Sequence, residues 1–140
     1  MMKIETFHFL ENILRDYPRS NRIIADYEES LRSPYRDGRD ENVGGGRMQN
    51  NRDDRVENMA ISIATDRTLR NLHLYQETVS RVLGRSDPDT RAIIDLLYFH
   101  PANQVNISGV AMRMHMGRTA VSRRRAAFFK MLARELGYLY

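Results

Sequence analysis

The sequence NISGVAMRMHMGRTAVSRRRAAFFKMLARELG, residues 106–137, decides the fold of this chain. Asn106 is a favourable N-cap for a helix over residues 107–114. The tripeptide His115-Met116-Gly117 can then turn the chain into a long final helix over residues 118–136. Two helices joined by a three-residue turn are typical of a helix-turn-helix.

The close crossing of the two helices in such a motif predicts which residues point inward. A small residue is needed where the helices meet, and Ala111 occupies that position. The other inward positions are predicted to be Val110, Met114, Met116 and Val121. With Val121 inward, a rotation of about 100° per residue puts other side chains of the final helix on the opposite or flanking face. These are Thr119, Ala120 and Arg123, with Ser122 and Arg124 beside them.

Charge is distributed unevenly along the chain, although the formal net charge is only +4. Residues 1–99 hold fifteen Lys or Arg and seventeen Asp or Glu, whereas residues 100–140 hold seven basic residues and a single acid, Glu135. A solvated basic helix is one interpretation. The coincidence of this charge with a helix-turn-helix favours contact with the phosphate backbone of a nucleic acid.

The final helix is therefore predicted to bind double-stranded DNA. Arg123 is long enough to reach a guanine edge, and Thr119 and Ala120 suit a thymine methyl group. Unpaired amides of residues 118–120 can bind a phosphate. The predicted DNA-binding residues are Arg118, Thr119, Ala120, Ser122, Arg123, Arg124, Arg125 and Lys130. Those assigned to phosphates are Arg118, Arg124, Arg125 and Lys130. The apolar residues that follow are expected to form core rather than a base-stacking platform: Phe128, Phe129, Met131, Leu132 and Leu136.

The rest of the chain predicts an all-α protein. Residues 1–34 predict an N-terminal helical hairpin whose first helix ends at Pro18. Residues 35–52 contain few apolar side chains and predict a flexible linker. Residues 53–140 predict a long helix followed by the helix-turn-helix DNA-binding domain.

The long helix leaves two questions open. The apolar spacing slips near Thr65-Asp66, which indicates either two helices or one bent helix, with a short strand over residues 59–63 as the lesser alternative. The second question is whether its apolar stripe is core, which we favour, or a self-association surface. The residues of that stripe are Leu72, Tyr75, Val79 and Val82.

Two stretches carry a resemblance to known families. Residues 87–99 begin with Asp87-Pro88, a favourable helix start, and end with Tyr98-Phe99. Together with the helix-turn-helix, about fifty residues in all, they resemble region 4 of sigma factors. The arginine-rich helix running into residues 128–137 is similar to phage late-gene transcription regulators of the RinA and ArpU type, whose size also matches this chain.

The resemblance implies a phage-encoded activator of late, packaging or lysis genes that acts in the host cytoplasm at a promoter-proximal site. Two features depart from the pattern. His115 lies at a turn position where glycine is usual, and histidine is tolerated in the left-handed conformation better than most residues. Arg124-Arg125 includes a position that usually faces the core, so one of the two is expected to direct its aliphatic stem inward.

Composition argues against several other functions. The chain has no cysteine, which excludes disulfides, thiol catalysis and cysteine-ligated metals, and fits the cytoplasm. The four histidines are scattered without ligand spacing, so no metal or other cofactor is expected. No combination of residues supports an enzyme, and neither a leader nor a membrane-spanning segment is predicted.

Alternatives differ in the partner expected besides double-stranded DNA. A small terminase subunit would join a helix-turn-helix to helices that assemble into a large ring. A sigma-like subunit would bind host RNA polymerase and would bind DNA weakly alone. Homo-oligomers are compatible with each of these functions.

Overall fold

A computed structural model of the protein describes residues 2–32 and 51–138. Every regular element within those ranges is helical, so the fold is all-α as predicted. The α-helices are α1 (Ile4–Asp16), α2 (Ser20–Arg32), α3 (Asn51–Arg85), α4 (Pro88–Tyr98), α5 (Ile107–Met114) and α6 (Arg118–Leu136). Short 3-10 turns occupy Tyr17–Arg19 and Pro101–Asn103. In the part of the chain described, no helix is long and apolar enough to cross a membrane.

The predicted linker, residues 35–52, lies outside the described residues except at its end. Asn51 and Arg52 already belong to α3. The helix starting there continues to Arg85 without interruption, so it is one helix through Thr65-Asp66. The alternatives of two helices and of a strand over residues 59–63 are therefore wrong.

The prediction that Pro18 ends the first helix is confirmed, because α1 ends at Asp16. Asp16 has φ −81° and ψ −18°, and Ser20 has φ −56° and ψ −43°, so both residues keep right-handed helical angles. Pro18 lies in a single 3-10 turn that leads directly into α2. Proline is compatible with this position because its φ suits a helix and it opens the short turn.

The chain divides into two compact units, Met1–Ser20 with Leu74–Tyr140, here called the main unit, and Asn21–His73. The smaller unit contains most of α2, with Ile24 buried, and the first part of α3. In that part of α3 the apolar side chains of Val56, Met59 and Ile63 are exposed.

The larger of two hydrophobic clusters in the main unit joins α1, the end of α3, α4 and α6. Val79 and Val82 of α3 are fully buried in it, which confirms the core interpretation for these two residues. Its members from the other helices are Leu10, Ile13, Leu14, Ile94, Tyr98, Phe128, Phe129, Leu132 and Ala133. Glu135 adds ion pairs with Arg81 at 3.0 Å and Arg85 at 3.3 Å, so α6 is also tied to α3 at the surface.

A second cluster holds α4, α5 and α6 together. Its buried members are Ile93, Val110, Ala111 and Val121. Met114 and Met116 pack against it as partly buried side chains. All five residues predicted to point inward from the helix-turn-helix therefore do so.

Candidate functional site

The start of α4 is fixed by the cap that the sequence predicts. Asp87 accepts a hydrogen bond from the Thr90 backbone N–H at 3.1 Å and one from the Thr90 hydroxyl at 2.7 Å. Pro88 occupies the first turn, where its missing N–H costs nothing. Because this cap is local, it fixes the start of α4 without contacts from distant parts of the chain.

The turn between α5 and α6 has the predicted length and an unusual residue at its first position. His115 adopts the left-handed conformation, with φ 55° and ψ 44°. Its side chain is exposed, and the Met116 N–H donates back to the Ala111 carbonyl at 3.1 Å, which closes the end of α5. Histidine thus performs the role usually given to glycine, while Gly117 has an ordinary φ of −73°.

Close packing at the start of α5 requires glycine at position 109. Asn106 caps the helix through a 2.8 Å hydrogen bond from the Gly109 N–H. A Cβ added at Gly109 would lie only 2.6 Å from Cγ1 of Val105. The chain entering α5 therefore folds tightly over its first turn, which aligns α5 with the turn that follows.

One face of α6 is exposed along its whole length. Residues three and four apart lie in line on a helix, and the exposed line comprises Thr119, Arg123, Ala127, Lys130 and Arg134, here called the outer stripe. The opposite face is buried and includes Val121, Phe128, Phe129 and Leu132. The core interpretation of the aromatic residues is therefore confirmed.

Three predicted DNA-binding residues belong to this stripe: Thr119, Arg123 and Lys130. Ala120 is exposed next to it, and Ser122 is half-buried. Arg118 is exposed at the first position of α6, where no side chain caps the backbone amides. Sequence reasoning missed Ala127 and Arg134, although their spacing of four and eleven residues from Arg123 places them in line with it.

Arg124 is held by an ion pair on the flank of α6. It donates to an Asp87 carboxylate oxygen at 2.7 Å and so joins α6 to the cap of α4. The hydrogen bond from the Thr90 hydroxyl, together with the charge of Arg124, lowers the pKa of Asp87 below its usual 3.8. The Arg124 side chain therefore makes a contact within the protein.

Arg125 is the arginine that faces the core. Its guanidinium lies 5.0 Å from the centre of the Phe7 ring and donates to the Tyr98 hydroxyl at 3.4 Å. That hydroxyl donates to Glu11 at 2.8 Å. Burial, followed by the bond to Glu11, raises the pKa of Tyr98 to about 12, so the phenol keeps its proton at neutral pH. Arg124 and Arg125 are therefore separated from the outer stripe.

Comparison with known proteins supplies a family. The model of the family described as "Protein of unknown function (DUF722)" matches residues 8–134. The chain belongs to the DUF722 family. The comparison with curated proteins and the comparison with solved structures both give no match. Since the matched region begins in α1 and ends in α6, it includes the buried members of both hydrophobic clusters, together with α5, the turn after it and most of α6.

The electrostatics of α6 in this DUF722 chain follow from these contacts. Arg118, Arg123 and Lys130 form no ion pair with any residue that the structure describes. No carboxylate occurs between Asn106 and Arg134. Within the described ranges no group of three or more acidic or histidine side chains could hold a metal ion. The arrangement offers an uncompensated positive surface on a rigid helix, suited to a polyanion.

Proposed function

We propose that this protein is a sequence-specific regulator of transcription that binds double-stranded DNA through α6. One observation carries the proposal: the second helix of a tightly turned helix pair presents an exposed stripe whose Arg123 and Lys130 form no ion pair with any described residue. An α-helix fits the major groove of B-form DNA, where base edges can be distinguished. The buried opposite face of α6 holds the stripe rigidly.

Within the stripe, the side chains suit different contacts. Arg123 is placed to reach a guanine edge with two hydrogen bonds, while Thr119 and Ala120 suit a thymine methyl group. Arg118, with the uncapped first amides of α6, and Lys130 are assigned to phosphates. The small side chain of Ala127 lets the helix approach the floor of the groove closely.

Arg124 and Arg125 receive a different role in this proposal from the phosphate contacts expected from the sequence. Their bonds to Asp87 and Tyr98 orient α6 relative to α4 and α1. They are positioning residues for the stripe rather than its contacts with DNA. The Arg124 guanidinium would have to give up its ion pair with Asp87 to bind a phosphate, so it gains less from that contact than an unpaired residue does.

The finer assignment is a phage late-gene activator acting in the host cytoplasm. The resemblance of residues 87–137 to sigma region 4 and to regulators of the RinA and ArpU type supports it, and host RNA polymerase is then a candidate partner. Joint burial of Ile93 with Val110 and Val121 supports treating α4 to α6 as one DNA-binding domain, as that resemblance requires.

A small terminase subunit is the second candidate function. The observation that favours it is the exposure of Val56, Met59 and Ile63 on α3, since a ring assembly needs an apolar surface for self-association. Both functions use the same DNA-binding helix, so oligomer size and the position of the bound site distinguish them.

The test is selection of fragments of the source genome by the purified full chain, with its mass measured by light scattering. A promoter-proximal site bound by a monomer or dimer is the expected result, and the same selection with Arg123→Ala should enrich that site less strongly. If a large ring binds a packaging-start site instead, the function is that of a small terminase subunit rather than a transcription regulator. Recovery of fragments in proportion to their abundance would overturn sequence-specific binding.

A further inference from the structure

The main unit contains a cavity that is separate from the outer stripe. It has a volume of about 590 Å³ and lies between α1, the end of α4, the start of α5 and Arg125 of α6. This volume falls in the range of small-molecule sites in proteins. Arg125 is two positions from Arg123, a rotation of about 200° around the helix, so the cavity and the stripe face different directions.

The charges that line the cavity are predominantly positive. The lining includes one acid, Glu11, and three arginines, Arg15, Arg113 and Arg125. The Glu11 side chain is only 13% exposed, and one of its oxygens accepts the Tyr98 hydroxyl bond at 2.8 Å. Arg15 is 3.8 Å from the same oxygen. The single negative charge is thus withdrawn into the wall, while the three arginines line the open space.

Hydrogen-bond donors in the cavity exceed the acceptors available to them. A guanidinium carries five N–H donors. Arg113 is exposed and has no ion pair or hydrogen bond with any residue in the described ranges. Asn106 uses its amide oxygen to cap α5, which leaves its NH₂ group to donate. An occupant must therefore supply acceptor atoms and negative charge.

Apolar side chains complete the lining and define the rest of the occupant. Leu97, Val105 and Ile107 border the same space as the arginines. A bare ion would leave these apolar side chains exposed to water, whereas a molecule with a short carbon skeleton would cover them. We infer that the cavity binds a small organic anion whose carboxylate or phosphate group is bound by Arg15, Arg113 and Arg125.

Binding there would tie three helices together. Arg15 lies on α1, Arg113 on α5 and Arg125 on α6, so one anion bridging them would stabilise the main unit. The inference goes beyond the proposed DNA function and does not depend on it, since none of the outer stripe residues lines the cavity.

The test measures binding of succinate and of inorganic phosphate to the full chain by calorimetry and thermal unfolding, with sodium chloride at matched ionic strength as the reference. Two outcomes support the site: succinate raises the Tm above the sodium chloride reference, and Arg113→Gln weakens binding about tenfold, as expected for loss of a charge-assisted hydrogen bond. Phosphate is expected to bind more weakly because it lacks a carbon skeleton. Lys3→Gln removes the same charge from an exposed residue outside the cavity and should change the affinity less than twofold.

Two further measurements make the result decisive. Arg15→Gln tests a second wall of the cavity and should also weaken succinate binding. In amide NMR spectra, Gly109 should shift on titration while Ala127 on the outer stripe should not. Equal effects of sodium chloride and succinate, equal affinities of Arg113→Gln and Lys3→Gln, or shifts confined to the outer stripe would each overturn the site.

Discussion

The two sides of α6 carry the same type of charged side chain in different surroundings. On the outer stripe, Arg123 and Lys130 have no ion pair within the described chain and lie next to small residues. On the other side, Arg124 binds Asp87, and Arg125 lies against Phe7 and Tyr98. The difference teaches that a run of arginines does not define a binding face. What separates the two pairs is whether the rest of the fold brings a partner to each guanidinium.

The strongest test of this comparison removes the support of the buried face. Phe129 is 1% exposed, and its ring centre lies 4.8 Å from that of Phe7 and 5.9 Å from that of Tyr98. Phe129→Ala should lower the free energy of unfolding by about 3–5 kcal/mol, measured by denaturant titration, because it leaves a cavity in the core. Thr119→Ala on the outer stripe should change it by less than about 0.5 kcal/mol. Similar losses in both variants would contradict the division of α6 into two faces.

The next largest effect is expected on DNA binding. Arg123→Ala should weaken binding to the selected site by about 1–3 kcal/mol while binding to random DNA changes less, because a base contact is lost. Competition binding at fixed salt measures both affinities. The unfolding free energy should stay near that of the wild type, since Arg123 is exposed. Equal losses on specific and random DNA would mean that Arg123 contacts phosphate instead.

Arg125→Ala should have the opposite effect to Arg123→Ala, lowering stability while leaving sequence preference unchanged. Arg125→Ala removes the contact with the Phe7 ring and the hydrogen bond to Tyr98, and should lower the unfolding free energy by about 1–2 kcal/mol. The ratio of specific to random DNA binding should be preserved. A double-mutant cycle with Tyr98→Phe isolates the hydrogen bond, and strictly additive effects would show that Arg125 and Tyr98 are not coupled.

Lys130 tests whether residues of the outer stripe make different kinds of contact with DNA. Lys130→Ala should weaken all DNA nearly equally, by less than about 1 kcal/mol, and should reduce the slope of log affinity against log salt by about 0.9. The salt dependence of binding measures this slope for both proteins. A change in sequence preference with no change in slope would contradict a phosphate contact.

The smallest expected effect is on the pH dependence of stability. It involves Asp87, which pairs with Arg124 on the flank of α6. The pKa of Asp87 is lowered in the folded protein, chiefly by the Thr90 hydroxyl, so the unfolded chain takes up this proton more readily as pH falls. The stabilisation is complete above the usual pKa of 3.8 and is lost as pH falls through the lower folded value. Asp87→Asn keeps a capping side chain but should flatten the acid limb of the unfolding free energy. Glu135, whose pKa is lowered chiefly by Arg81, keeps part of the slope. An unchanged slope would show that Asp87 has no favourable folded environment.

The sequence predicted the ends of the helices better than the course of the longest helix, α3. Asp87, Asn106 and Gly137 mark helix ends through bonds or angles within a few residues, so local pattern is sufficient there. Pro18 likewise predicted the end of α1, although not the 3-10 turn that leads directly into α2. The slip at Thr65-Asp66 left two helices and one bent helix open, since an exposed helix does not need a continuous apolar stripe.

By itself the sequence determined the all-α class, the caps and turn of the last three helices, and the absence of acids between Asn106 and Arg134, because each depends on neighbouring residues. Only the tertiary structure decided which arginines are available. Arg124 and Arg125 differ from Arg123 through Asp87 and Tyr98, which lie 37 and 27 residues away, and through Phe7 on α1. No local pattern contains those distances, since they arise only when the hydrophobic clusters bring α1, α4 and α6 together.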